Sequence, residues 1–243
     1  MPEDPYAGFA DRYDWMWKDD PTRRAFFARL FAGRGVARLL DCACGTGRDL
    51  LLFRELGLEV SGSDLSEAML ARARENLAGA DVPLVRADFR ELPAHFPEPF
   101  DAVVCLGNAV NELLEDAETL RALASMRSVL RPGGILVLDQ GQTDASMRER
   151  PRFAPVVNER DFTRLFTMDH AGDVMTVDIF DFLHTEAEAA FHHATVRIRV
   201  RLLDGWRRIL REAGFAAVEF FGDWDGAPYD EAASRRLIAV ARR

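Results

Sequence analysis

The sequence predicts an α/β fold: an open, seven-stranded, mostly parallel sheet with helices on both faces, interrupted late in the chain by an antiparallel β insertion that caps the site. Three observations carry this. Short, almost wholly apolar runs such as Ala102-Val103-Val104-Cys105 alternate with segments of helical period, as strands covered on both faces require. One such run, Leu39-Leu40, leads into the two-glycine turn Asp41-Cys42-Ala43-Cys44-Gly45-Thr46-Gly47, and a helix follows. From about residue 145 to 202 the apolar period becomes alternating before the helical rhythm resumes.

Each element has a local cause. Residues 1–20 form an acidic lid segment carrying Tyr6, Phe9, Tyr13, Trp15 and Trp17. Phe26, Phe27, Leu30 and Phe31, spaced by threes and fours, predict a helix over 21–33. A strand over 38–43 enters the glycine turn, and the helix over 48–56 ends at Gly57. A strand over 58–63 follows, and Ser66 is the N-cap of a helix over 66–77. Strands over 83–86 and 100–105 come next. The helix over 116–130 stops at the breaker Arg131-Pro132-Gly133-Gly134, and a strand over 135–139 completes the parallel set with right-handed crossovers. Within the insertion, 162–168, 174–183 and 190–203 read as antiparallel strands, with Ala171-Gly172-Asp173 as a hairpin turn. A helix over 204–213 and strands over 217–222 and 237–242 close the chain. The main domain is thus 1–144 plus 203–243, with 145–202 inserted as an acceptor-binding cap.

Composition narrows the function. A hydrophobic content of 48% with 29% charged residues is that of a soluble globular protein. The net charge of −9 argues against a nucleic-acid partner, which needs a positive surface. No apolar run approaches the roughly 20 residues of a membrane-spanning helix. The acidic start Met1-Pro2-Glu3-Asp4 lacks a signal-peptide pattern, so a cytoplasmic protein is expected. Cys42, Cys44 and Cys105 read as reduced, buried thiols. Cys42-x-Cys44 has no second pair and no nearby histidine, so no metal site is expected.

The glycine turn and Asp64, at the end of the second strand, form a nucleoside-binding pattern. The glycines let backbone N–H groups approach the ligand, and the carboxylate accepts from ribose hydroxyls. A dinucleotide of an oxidoreductase calls for a third glycine, but the frame here is Gly45-x-Gly47-x-x-Leu50.

Asp41-x-x-Cys44-Gly45-Thr46-Gly47 resembles motif I of the class I S-adenosylmethionine-dependent methyltransferases, which have a Rossmann-like fold. The likeness continues in order through Asp64, Ala87-Asp88-Phe89, the motif IV-like Phe100–Cys105 and the turn Leu130–Gly134. It implies S-adenosylmethionine as cofactor. Asp64 would hold the ribose, Asp88 and Phe89 would flank the adenine, and Cys44, Gly45, Thr46, Gly47, Leu65, Met69 and Leu106 would complete the binding set. Within that class, Asp41–Gly47 and Cys105-Leu106-Gly107-Asn108 are similar to glycine N-methyltransferase and its glycine/sarcosine relatives. Tyr6 and Trp15 match aromatic positions of that group's N-terminal segment, and either Arg23 or Arg24 would pair with the methionine carboxylate. The resemblance also points to a homo-oligomer.

One departure bears on the acceptor. Members that bind glycine carry Asp-x-Arg-Asn-Tyr-Asp after the fifth strand. This chain has Asp139-Gln140-Gly141-Gln142-Thr143-Asp144, with Gly141 in place of the carboxylate-gripping arginine. The expected function is methyl transfer by in-line displacement to a small-molecule acceptor, at an amine nitrogen. Asn108, just past the fourth strand, would orient that acceptor. His170, His184, His192 and His193 read as surface residues of the insertion. Two other readings stay open on the residues alone: an NAD(P)-dependent oxidoreductase, and a non-catalytic S-adenosylmethionine-binding protein.

Overall fold

The computed structural model describes residues 4–18, 20–186 and 189–243. Its strands are β1 (Arg38–Cys42), β2 (Glu59–Asp64), β3 (Leu84–Arg86), β4 (Phe100–Cys105), β5 (Leu130–Gln140), β6 (Phe153–Asn158), β7 (Phe162–Ala171), β8 (Val174–His184), β9 (Ala189–Arg199), β10 (Ala217–Phe221) and β11 (Leu237–Arg242). The helices are α1 (Pro21–Ala32), α2 (Arg48–Glu55), α3 (Glu67–Asn76), α4 (Asp116–Ser128), α5 (Asp144–Glu149) and α6 (Leu203–Glu212). No helix among the described residues is long and apolar enough to cross a membrane.

Seven strands form one sheet in the order β10-β11-β5-β4-β1-β2-β3, with β11 antiparallel to both its neighbours and the other pairs parallel. The order reverses between β1 and β4. That reversal opens a crevice at their carboxyl ends, where open α/β sheets bind ligands. Successive strand residues face opposite sides. Leu39 packs in a layer with Phe27, Phe53 and Leu70 from α1, α2 and α3, and Leu40 in another with Met126, Trp206 and Ile209 from α4 and α6.

The place of the missing third glycine is explained by the neighbouring strand. Leu50 fills it on α2, and Gly62 on β2 makes the room. A Cβ on Gly62 would lie 2.7 Å from Leu50 Cδ1 and 2.8 Å from Leu84 Cδ2. Ser66 caps α3 as expected, its hydroxyl accepting from Met69 N.

Three boundaries differ from expectation. Helix α4 stops at Ser128 and β5 begins at Leu130, well before 135, because Leu130 already pairs with Phe100; the register then shifts before Ile135 pairs with Ala102. The insertion is a four-stranded sheet, β6-β7-β8-β9, rather than three strands. Pro155 masks β6 in the sequence, but β6 is an edge strand, where proline is tolerated. Helix α5 was also unforeseen; at six residues it is too short for a periodic signal, and its capping box between Thr143 and Ser146 holds it.

Two side-chain networks join the parts. Gln140, buried at the end of β5, accepts from Asn111 Nδ2 and Trp206 Nε1, both at 2.8 Å. Its Nε2 donates to the carbonyls of Gln142 and Arg201, where the chain leaves for the insertion and returns from it. The second network docks the N-terminal strap, a 3-10 turn over Ala10–Met16, on the four-stranded sheet. Phe9 packs with Met175, Val177, Ile179 and Ile198. Beside them the fully buried Arg164 donates to both oxygens of Asp181 at 2.6 Å, and Arg12 Nε reaches the same carboxylate at 3.4 Å.

Gly62→Ala is expected to lower unfolding stability by about 1–3 kcal/mol through overpacking, read by urea denaturation. Asp181→Asn leaves two buried guanidinium groups without their shared anion, and the same measurement should show a loss of about 3–5 kcal/mol.

Candidate active site

A cavity of about 250 Å³ opens at the carboxyl ends of β1 and β4. Its floor is Asp41 and the turn Ala43–Thr46; Leu106 and Gly107 beyond β4 and Asp139 on β5 form one side. Tyr13 and Trp17 of the strap form another.

The turn is built to present backbone. Gly45 has φ 54° and Gly47 φ 76°, conformations that favour glycine, and a Cβ on Gly45 would meet nothing within 4 Å. Gly45 N donates to Asp64 Oδ2 at 2.8 Å, and Ser66 N to Asp64 Oδ1 at 2.9 Å. Burial pushes the Asp64 carboxyl up, opposed by these N–H groups.

Acidic groups crowd this end of the sheet. Asp41 is buried and its Oδ1 has no partner among the described residues. Burial, then the charge of Asp49, holds its carboxyl well above the usual range, while Arg23 pulls the other way. Arg23 lines the cavity, makes a bidentate pair with Asp49, and lies 5.1 Å over the Trp224 ring. Asp139 accepts from Gly107 N at 2.7 Å and pairs with Arg236.

The strap closes the cavity through its own hydrogen bonds. Thr46 Oγ1 donates to Asp14 Oδ1 at 2.6 Å, and Asn76 Nδ2 to Asp14 Oδ2 at 3.0 Å. Ser66 Oγ donates to Asp4, and the Tyr6 hydroxyl to Glu112.

A methyltransferase-domain family profile matches residues 39–134. Over 229 residues the chain is 30% identical to the glycine/sarcosine N-methyltransferase of Aphanothece halophytica, covering 89% of this chain and 82% of that one. The chain belongs to the class I S-adenosylmethionine-dependent methyltransferases. Among solved structures, the CcbJ methyltransferase from Streptomyces caelestis shares the fold at TM-score 0.83 and 24% identity, covering 99% of each chain. The S-adenosylmethionine-bound amino pentose methyltransferase CalS10 from Micromonospora echinaspora matches at TM-score 0.76 and 28% identity, covering 97% of this chain and 96% of its own. Membership sets aside the oxidoreductase reading of the glycine turn.

In this methyltransferase the cavity gathers Arg23, Asp41, Cys44, Gly45, Thr46 and Leu106. Gly47 opens α2 behind it, and Asp64 adjoins it through Gly45. Leu65, exposed, and Met69, buried in the first turn of α3, follow Asp64. Asp88 and Phe89 lie past the end of β3; Arg90 grips both Asp88 oxygens and holds that carboxyl below its ordinary range despite partial burial. Asn108 Oδ1 accepts from Gly141 N at 3.2 Å, tying the end of β4 to the end of β5.

Tyr6, Gly47, Asp64, Leu65, Met69, Asp88, Phe89 and Asn108 do not line the cavity, and Arg24 and Trp15 turn away from it. Arg24 points to Glu55 on the surface, so of the two only Arg23 lines the cavity. Trp15 is 48% exposed and packs edge-on against Phe162 at 4.8 Å, while Trp17 lines the cavity under the Arg48 guanidinium. The cause is the 3-10 repeat: Phe9, Arg12 and Trp15, three residues apart, all face the four-stranded sheet. Sequence reasoning did not find Asp14, Asp49, Asp139 or Arg236, which reach the site from separate elements without a local motif. The acid in the first turn of α2 was the one available signal, for Asp49. The histidines stand as expected in part: His193 is on the sheet's outer side with Asp178, but His170 Nε2 is buried without a partner among the described residues.

Arg23→Ala should weaken S-adenosylhomocysteine binding by about tenfold or more, the range of a charged hydrogen bond, while Arg24→Ala changes it less than about twofold. Isothermal calorimetry of both variants checks this.

Proposed function

We propose that this enzyme methylates the nitrogen of a small amine recognised by its amine and hydroxyl groups, an amino sugar being the type, and not by a carboxylate. The carrying observation is Gly141. The position where glycine-binding relatives are expected to carry arginine has no side chain, and a Cβ there would meet nothing within 4 Å. The 28% identity to an amino pentose methyltransferase, over nearly the whole of both chains, supports the same class. The net charge of −9 suits a small acceptor over a nucleic acid, and three free, buried cysteines suit a reducing cytoplasm.

The residues present fit the cofactor. The unpartnered Oδ1 of buried Asp41, among further carboxylates, suits a ligand carrying ammonium and sulfonium charges. Arg23 would take its carboxylate, Asp64 its ribose hydroxyls, the Cys44–Gly47 turn and Leu106 its body, and Leu65, Met69, Asp88 and Phe89 its adenine. Bound there, S-adenosylmethionine supplies a methyl group already activated by positive charge. The protein's part is alignment and exclusion of water, and orientation contributes roughly 7–11 kcal/mol in favourable cases. Tyr6, Tyr13 and Trp17 of the strap cover the donor side. Residues 145–202 cap the acceptor side, and Asn108 Nδ2, which has no partner among the described residues, donates to a hydroxyl of the acceptor.

Calorimetry with S-adenosylmethionine, S-adenosylhomocysteine and NADH tests the donor site. The first two should bind in the micromolar range, and Asp64→Ala should lose that binding. Mass-spectrometric assay of glycine, sarcosine and D-glucosamine then tests the acceptor class. Faster turnover of D-glucosamine than of glycine is expected; glycine as the best acceptor sinks the proposal.

A further inference from the structure

Most carboxylates around the cavity have a clear hydrogen-bond partner. Arg23 pairs with Asp49, Arg236 with Asp139, and Arg90 with Asp88. Two backbone N–H groups hold Asp64, and Thr46 with Asn76 holds Asp14. Asp41, next to Arg23, belongs to the donor site. Glu112 is different: its hydrogen-bond partner among the described residues is the neutral phenol of Tyr6.

Glu112 ends the 3-10 turn Ala109–Glu112 that leads out of β4, the strand whose end borders the cavity. Tyr6, Tyr13 and Asp4 face it from the strap, and Asp64 from the end of β2. None of these is a cation, and on β9, which also packs on this turn, Arg199 is engaged by the Leu114 carbonyl and by Asp173. Glu112 is half-buried, and an anion shielded from water without a cation is costly unless a ligand brings one. The acceptor amines of the proposed reaction are such ligands, because the protonated amine is an ammonium ion with no free electron pair; a simple alkyl amine gives up that proton at about pH 10, and an amine flanked by electron-withdrawing groups nearer about pH 8.

We propose that Glu112 receives the acceptor as its ammonium ion and takes the proton that must leave before nitrogen can attack. This rests on the amine reading above. The ammonium N–H bond breaks and its proton passes to a Glu112 oxygen. The freed nitrogen pair then forms the N–C bond as the C–S bond breaks, leaving its electrons on sulfur. The product nitrogen carries the positive charge, and Glu112 returns its proton to water. Burial, reinforced by Asp64 and Asp4, pushes the Glu112 carboxyl up to about 7 against the Tyr6 hydrogen bond, a value suited to a base working at neutrality. Ammonium recognition at this carboxylate also accounts for an acceptor site that lacks an arginine at Gly141.

The test is kcat/KM across pH 6–10 for glycine, sarcosine and D-glucosamine with wild type, Glu112→Gln and Glu112→Asp. Melting temperature and S-adenosylhomocysteine binding serve as controls for folding. Wild-type activity should fall as pH drops through about 7, where Glu112 gains its proton. At pH 7 Glu112→Gln should be slower by about a hundredfold. That deficit should close as the pH passes the acceptor's own pKa, because the amine then arrives neutral. Glu112→Asp should keep the profile's shape at a lower rate. Independently of turnover, ¹³C NMR of glutamate-labelled protein should show one carboxyl, absent from Glu112→Gln, titrating near neutrality. A Gln variant within threefold of wild type at every pH, a deficit constant with pH, or a Glu112 signal among the ordinary glutamates overturns the proposal and leaves the amine reading standing. A wild type that binds S-adenosylhomocysteine but methylates no amine of the panel defeats the amine reading, and this proposal with it.

Discussion

The Asp181 carboxylate is the interaction on which the shape of the site rests. It is shared by Arg164 from within its own sheet and by Arg12 from the strap. Arg164 is fully buried between the rings of Phe9 and Phe162, so its charge depends on this partner and on the two aromatic faces. With Phe9, Arg12 and Trp15 fixed on the four-stranded sheet, the 3-10 turn has its rotation set, and Tyr13 and Asp14, between Arg12 and Trp15, face the other way. Tyr13 and Asp14 are therefore turned toward the glycine loop. A wall of the donor cavity is thus oriented by a charge buried in the other sheet.

Electrostatics then give the cavity its character. Carboxylates converge because strand ends and helix starts bring Asp41, Asp49, Asp64 and Asp139 to one edge, where their surroundings are of three kinds. Backbone N–H groups hold Asp64, guanidinium groups hold Asp49 and Asp139, and Asp41 has an oxygen unpaired among the described residues. At low local dielectric such an arrangement favours a cation strongly. A sulfonium donor and the ammonium acceptor proposed above are both cations, so on that proposal one field serves both partners.

Much of this was legible in the sequence. The glycine turn, Asp64 and the strand-five breaker lie within short segments, and their meaning is local backbone geometry. The Leu50 departure from the three-glycine frame was legible as a fact but not in its cause, because Gly62 lies on a different strand. The tryptophans were harder. Spacing could match Trp15 to its relatives, but only a 3-10 phase, which leaves no strong periodic mark over seven residues, turns it outward and brings Trp17 in. Asp139, Arg236 and Glu112 matter through pairings across the fold, and single-sequence patterns do not record those. Pro155 hid a strand because only an edge position excuses a proline.

Gln140 has a consequence of another kind. Its one amide nitrogen holds the carbonyls at which the chain departs for the insertion and comes back. From the viewpoint of the parallel sheet, some sixty residues begin and end at a single point. The entropy of closing such an excursion grows only with the logarithm of its length. Its strands can be lengthened, shortened or recoloured while the donor half keeps its register. Change in the insertion then needs no rearrangement of the parallel sheet, because the excursion is tied to it at one side chain.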